Sequence, residues 1–183
     1  TNAWEAVAPM ATARDCHAVA VLDGKLYAVG GGSDDDFLNS VERYEPATNA
    51  WEAVAPMRTA RSHLGMAVLD GKLYAVGGYD VDNGDDLSSV ERYDPATNAW
   101  EAVAPMGTAR EFHCVAVLDG KLYAVGGTTN DVLSSAERYD PATNAWEAVA
   151  PMAEARHSHA VAMLDGKLYA VGGQNDGHNR LSS

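Results

Sequence analysis

Apolar positions along the chain come in short, loosely alternating runs, and none keeps a 3.6-residue period. His17–Leu22 is rich in Val and Ala, and Lys25–Val29 carries Leu26, Tyr27 and Val29. Between them, Asp23-Gly24 is a two-residue hairpin signal. Gly30-Gly31 ends the second run, and a polar loop follows. Val41–Tyr44 reads as a third strand. Glu45–Asn49 reads as a turn, with Pro46 stopping the ladder. Ala50–Val54 is the fourth strand, and Pro56 ends it. The pattern predicts four short strands in a unit of roughly 45 residues, which is the spacing of a propeller blade.

That unit recurs. TNAWEAVAPM begins at Thr1, Thr48, Thr97 and Thr143, and LDGKLYAVGG begins at Leu22, Leu69, Leu118 and Leu164. The tryptophans Trp4, Trp51, Trp100 and Trp146 set periods of 47, 49 and 46 residues. A third string, S-V/A-E-R-Y-E/D-P, begins only at Ser40, Ser89 and Ser135. Together these predict an all-β chain of about four four-stranded antiparallel blades. The units run roughly 11–57, 58–106, 107–152 and 153–183, with 1–10 serving as fourth strand of the last blade.

The diglycine after an aromatic strand, the Glu-Arg-Tyr-Asp-Pro segment and the Trp about seven residues later resemble the kelch motif. The resemblance covers nearly the whole chain. It implies blades around a central channel, with the first strand lining the channel and Tyr and Trp packed between blades. It also implies that the loop after strand two and the loop entering strand one emerge at one face, where family members commonly bind peptides.

The copies differ where that face is expected. The post-diglycine loop has 9, 11 and 8 residues in Gly32–Ser40, Tyr79–Ser89 and Thr128–Ser135. A second variable patch follows the Ala-Arg dipeptide, and variable loops on a constant scaffold are how binding surfaces are built. The candidate face therefore includes Asp15, Ser62, His63, Glu111, Phe112, His157 and Ser158, with Ser33, Asp34, Tyr79, Asp80, Thr129, Asn130 and Asn175 from the longer loops. The family resemblance adds Arg14, Arg61, Arg110 and Arg156, as groups for acidic peptides. The same arginines also read as scaffold ties, because all four copies keep them.

Charge sharpens this picture. The 183 residues carry a net −13. The repeated strings hold 14 acids and 11 bases, and the variable segments hold 12 acids and two bases. The acidity belongs mainly to the loops, including Asp34-Asp35-Asp36 and Asp80, Asp82, Asp85 and Asp86, so a face preferring basic or neutral ligands is expected. Such a balance disfavours nucleic acid and anionic membranes. No targeting signal is recognisable, and a reducing compartment is compatible with two cysteines.

Other chemistry is thinly supported. Asp80-Val81-Asp82-Asn83-Gly84 with Glu91 has carboxylates at calcium-loop spacing, but its Gly is one position early. His17, His113 and His159 are equivalent, with Leu64 in the fourth unit, and read as packing residues before metal ligands. Cys16 and Cys114 have no recognisable ligand set around them. No nucleophile elbow or phosphate loop occurs. The expectation is a non-catalytic, cofactor-free binding scaffold for protein or peptide, its regularity read as consensus construction or as recent natural amplification of one unit. The alternatives are a purely structural repeat protein and a metal-dependent enzyme. A four-bladed ring lacking one strand, a homo-oligomer completing a propeller, and a segment of a longer protein all fit the array.

Overall fold

The computed structural model describes residues 3–34, 36–177 and 179–182. Blade 1 contains β1 (Ala18–Leu22), β2 (Lys25–Val29), β3 (Val41–Glu45) and β4 (Ala50–Val54), paired in that order. Blade 2 contains β5 (Gly65–Leu69) and β6 (Lys72–Val76), then a small hairpin of β7 (Tyr79–Asp80) and β8 (Asp85–Asp86). It is completed by β9 (Val90–Asp94) and β10 (Ala99–Val103). Blade 3 is β11 (Cys114–Leu118), β12 (Lys121–Val125), β13 (Ala136–Asp140) and β14 (Ala145–Val149). β15 (Ala160–Leu164) and β16 (Lys167–Val171) form the inner half of a fourth blade.

Each inner pair turns through Asp-Gly. Asp23 and Gly24, at φ 50° and 73°, take the two left-handed positions such a hairpin needs. Leu22 then lies opposite Lys25. The inner strands stand side by side, with β1 packed on β5, β5 on β11, and β11 on β15. Between blades 1 and 2 the core holds Leu22, Tyr27, Val29 and Val41 against Leu64, Leu73, Ala75 and Tyr93. Between blades 2 and 3, Leu69, Tyr74, Val76 and Val90 meet Leu122, Ala124 and Tyr139 in the same way. The cores lie between sheets because a sheet must bury its apolar faces against neighbours. Each blade is thus stabilised by the next.

Tryptophan closes the outer part of the first two seams. Trp100 Nε1–H donates to the Ala55 carbonyl and Trp146 Nε1–H to the Ala104 carbonyl, both at 2.9 Å. Trp51 does the same to Ala8.

The segment expected as fourth strand of the last blade lies against the first blade. The described residues of the 1–10 segment form no strand and do not pair with β16. Ala8 is instead held to blade 1, its N–H donating to Asn49 Oδ1 and its carbonyl accepting from Trp51. These bonds fix the segment to the first blade, and Trp4 stands fully exposed.

Candidate binding face

The two variable patches meet through backbone pairing. Asp15 and Gly32 exchange both N–H···O bonds at 3.0 Å. Ser62 pairs with Tyr79, Glu111 with Thr128, and His157 with Gln174 in the same way. A second set of bonds runs from blade to blade. His63 N–H donates to the Cys16 carbonyl, Phe112 to His63, and Ser158 to Phe112, at 3.0, 3.2 and 2.9 Å. All four residues sit at φ between 47° and 51°. Left-handed backbone costs a non-glycine residue about 1–2 kcal/mol. The ladder and the seams hold it there, giving the loops a rigid base.

The four arginines lie beneath this surface. Arg61 Nη1 donates to the Gly77 and Ser89 carbonyls, and Nη2 donates to Ser89 Oγ and Glu91 Oε1, all at 2.9 Å. Arg110 ties Gly126, Ser135 and Glu137 together, and Arg14 ties Gly30, Ser40 and Glu42. Arg156 Nη1 donates to the Gly172 carbonyl. The guanidinium side chains of Arg14, Arg61 and Arg110 are fully covered, so a ligand on the face does not reach them.

The carboxylate partners are equally occupied. Glu91 also accepts from the N–H groups of Arg58 and Thr59, and Glu137 from those of Gly107 and Thr108. Burial raises the Glu42 carboxyl, but bonds from Ala11, Arg14 and Thr12 outweigh it and hold the group below its usual range. Burial lowers the Arg61 and Arg110 guanidiniums, opposed by Glu91 and Glu137. The arginines are the scaffold ties that the repeat pattern offered as one of two readings. The signal was the matching invariance of Arg in Ala-Arg and Glu in Glu-Arg.

The remaining candidates divide by exposure. Asp15, Asp34, Asn130 and Ser158 are exposed, and Asp35 lies outside the described residues. Ser33, His63, Tyr79, Glu111, Phe112, Thr129, His157 and Asn175 are half-buried on the loop face. Ser62 and Asp80 are buried. Asp80 closes its own hairpin, accepting from the Asp82 N–H at 3.1 Å and from Asn83 Nδ2 at 2.7 Å. It is therefore no calcium ligand facing outward, and Glu91 is committed to Arg61.

An aromatic row, which linear spacing did not reveal, crosses three blades. The His63 and Phe112 ring centroids are 3.9 Å apart, and Phe112 and His157 are 6.1 Å apart. Glu111 Oε2 lies 3.3 Å from His63 Nδ1. Beside it, burial and the negative charges of Glu111 and Asp85 push the Asp86 carboxyl above its usual range. Partly covered carboxylates thus stand next to flat rings at this place.

The equivalent histidines are seam residues. His113 and His159 are buried, and a Cβ on Gly65 would lie 2.7 Å from His113 Nε2. Burial, with Arg110 and His159 adding to it, lowers His113 to about 3. Burial, Arg156 and His157 lower His159 to about 4. Both rings are thus neutral in the fold and charged in the unfolded chain below pH about 6.5. Their stability contribution is complete above that pH and lost as pH falls toward the folded values, by up to about 1.4 kcal/mol per unit for each ring. His113→Leu, copying Leu64, is expected to flatten this loss, read by urea unfolding near neutrality and near pH 4.5. Among the described residues, no three His, Cys, Asp or Glu side chains converge as a metal site. The Cys114 thiol donates to the His159 carbonyl at 2.7 Å, and burial raises both cysteine thiols. Neither is an activated nucleophile.

Comparison with known proteins agrees with this architecture. Residues 1–173 match the family described as the KLHDC2/KLHL20/DRC7 Kelch-repeats domain. Kelch-like protein 33 of Homo sapiens is 51% identical over 43 residues, covering 24% of this chain and 8% of that protein. Kelch-like protein 30 of Mus musculus is 49% identical over 45 residues, covering 25% and 7%. The matches thus span less than a tenth of those relatives' length. A solved structure titled "Structure of YjhT" aligns with 99% of this chain and 83% of its own, at TM-score 0.76 and 15% identity, and shows the fold alone. The all-β blades, the diglycine seams and the match over 1–173 place this chain in the kelch-repeat family.

Proposed function

We propose that the chain is a non-catalytic scaffold whose loop face binds protein or peptide segments carrying basic side chains. The observation that carries this reading is the Glu111–Asp86–Asp85 cluster beside the His63–Phe112–His157 row. A lysine or arginine stem lies flat on such rings while its charge meets the carboxylates. The kelch family supports the general role, since its repeats commonly mediate protein interaction. The near-identity of the repeated strings fits consensus construction, with recognition left to the loops.

The test is calorimetric titration with short Arg- and Lys-containing peptides and their Glu-substituted counterparts. Glu111→Gln with Asp86→Asn is expected to weaken basic peptides by roughly tenfold, within the range of a lost partly desolvated charge pair. Equal affinity for acidic counterparts would refute the reading.

A further inference from the structure

A further variable position follows Pro-Met, where the units carry Ala11, Arg58, Gly107 and Ala153. Arg58 is exposed. Among the described residues of blades 1 to 3, every other Lys and Arg pairs with a carboxylate, and the Arg58 guanidinium does not. Only its backbone is tied, the N–H donating to Glu91 Oε2 at 2.8 Å. In a chain of net −13, an unpaired cation is the exception.

Arg58 borders a cavity of about 360 Å³ between the segment entering blade 2 and the β9–β10 pair. Thr59 lines it from that segment, Ser89 and Val90 where β9 begins, and Val103 and Pro105 where β10 ends. Glu91 is also at its wall, but both carboxylate oxygens are engaged, by the Arg58 and Thr59 N–H groups and by Arg61 Nη2. Arg61, itself covered, offsets the charge of Glu91. The cavity is left with the positive charge of Arg58.

Blade 3 repeats the cavity at about 550 Å³, framed by the equivalent Thr108, Glu137, Val149 and Pro151. Gly107 stands there in place of Arg58. Constant residues therefore make the cavity, and the variable position alone gives one copy of it a free cation.

We propose that the Arg58 cavity takes the carboxylate of an Asp or Glu side chain on a segment whose basic residue sits on the loop face. The basic anchor rests on the function proposed above; the carboxylate site is new. A guanidinium grips a carboxylate through two parallel N–H···O bonds. Val90, Val103 and Pro105 offer the methylene stem of the acid an apolar wall. Five residues lead from Arg58 to His63, a reach of at most roughly 18 Å. Ser89 ends the loop that carries Asp85 and Asp86. One short extended segment thus spans both places. An exposed ion pair is weak alone, so the acid strengthens a segment already seated by its base and does not hold an acidic peptide by itself.

Calorimetric titration of the whole chain with peptides carrying one Arg and one Glu, up to about five residues apart, tests it. The controls carry Gln for Glu. At the best spacing the Glu peptide is expected to bind roughly fivefold tighter, the upper end for an exposed pair. Arg58→Ser is expected to abolish that gain without weakening the Gln peptides, and Arg58→Lys to keep part of it. The cavity is read apart from the loop face by side-chain Nε–H NMR of Arg58, titrated with N-acetylglutamate amide. The Arg58 signal is expected to move, and to stay still with N-acetylglutamine amide. If neither peptide binds while that signal moves, the basic-face reading falls and the carboxylate site stands. A motionless Arg58 signal, Gln peptides that bind as tightly as Glu peptides, or a gain that survives Arg58→Ser would overturn the proposal.

Discussion

Replacing Arg110 with alanine is expected to cost the fold about 3–5 kcal/mol, the range for removing one member of a buried ion pair. The guanidinium is enclosed and bonds to Gly126, Ser135 and Glu137. Truncation leaves the Glu137 carboxylate buried with only the N–H groups of Gly107 and Thr108. It also takes the donor from the Gly126 carbonyl, whereas Ser135 O still accepts from the Gly126 N–H. Arg92→Ala is the control. Arg92 pairs with Glu101 in a partly exposed site, where such pairs contribute about 1 kcal/mol or less. Urea unfolding of the two variants reads the difference. Equal losses would show that the buried arginines are not the ties described.

The second large effect is at the diglycines. Gly126 sits at φ +61°, and a Cβ there would lie 2.5 Å from the Arg156 carbonyl and 2.8 Å from the His159 ring. Gly126→Ala therefore adds a collision across the seam to the left-handed backbone penalty. The expected loss is about 2–5 kcal/mol, from about 1–2 for the backbone and 1–3 for overpacking. Gly120, at φ +70° in the β11–β12 turn, has nothing within 4 Å of such a Cβ. Gly120→Ala is expected to lose only the backbone part, about 1–2 kcal/mol. Thermal and urea unfolding of both variants separate seam contact from turn geometry.

Much of the blade was legible because its signals are local. Asp23-Gly24 fixes a hairpin between two runs, and Pro46 and Pro56 stop strands where expected. The arginines were ambiguous because their partners are distant along the chain: Arg61 reaches Glu91 only after two strands and a hairpin intervene. Asp80 looked like an outward carboxylate because Asp-rich loops usually are solvated. Here its side chain turns inward to hold the Asp82 and Asn83 N–H groups. The His63–Phe112–His157 row was invisible because each ring comes from a different unit, and only the ladder aligns them. The 1–10 segment was legible as a strand by its sequence, but a strand needs a neighbour. Among the described residues, Ala8 of this segment bonds to blade 1.

In the proposed function, constant blades hold an acidic, ring-lined face for basic partners. Selection of a random peptide library on the whole chain, repeated on the Glu111→Gln, Asp86→Asn variant, tests it most directly. The expected result is enrichment of Arg- and Lys-containing peptides on the chain and its loss on the variant. Enrichment of acidic peptides, or basic peptides enriched equally on both, would contradict it.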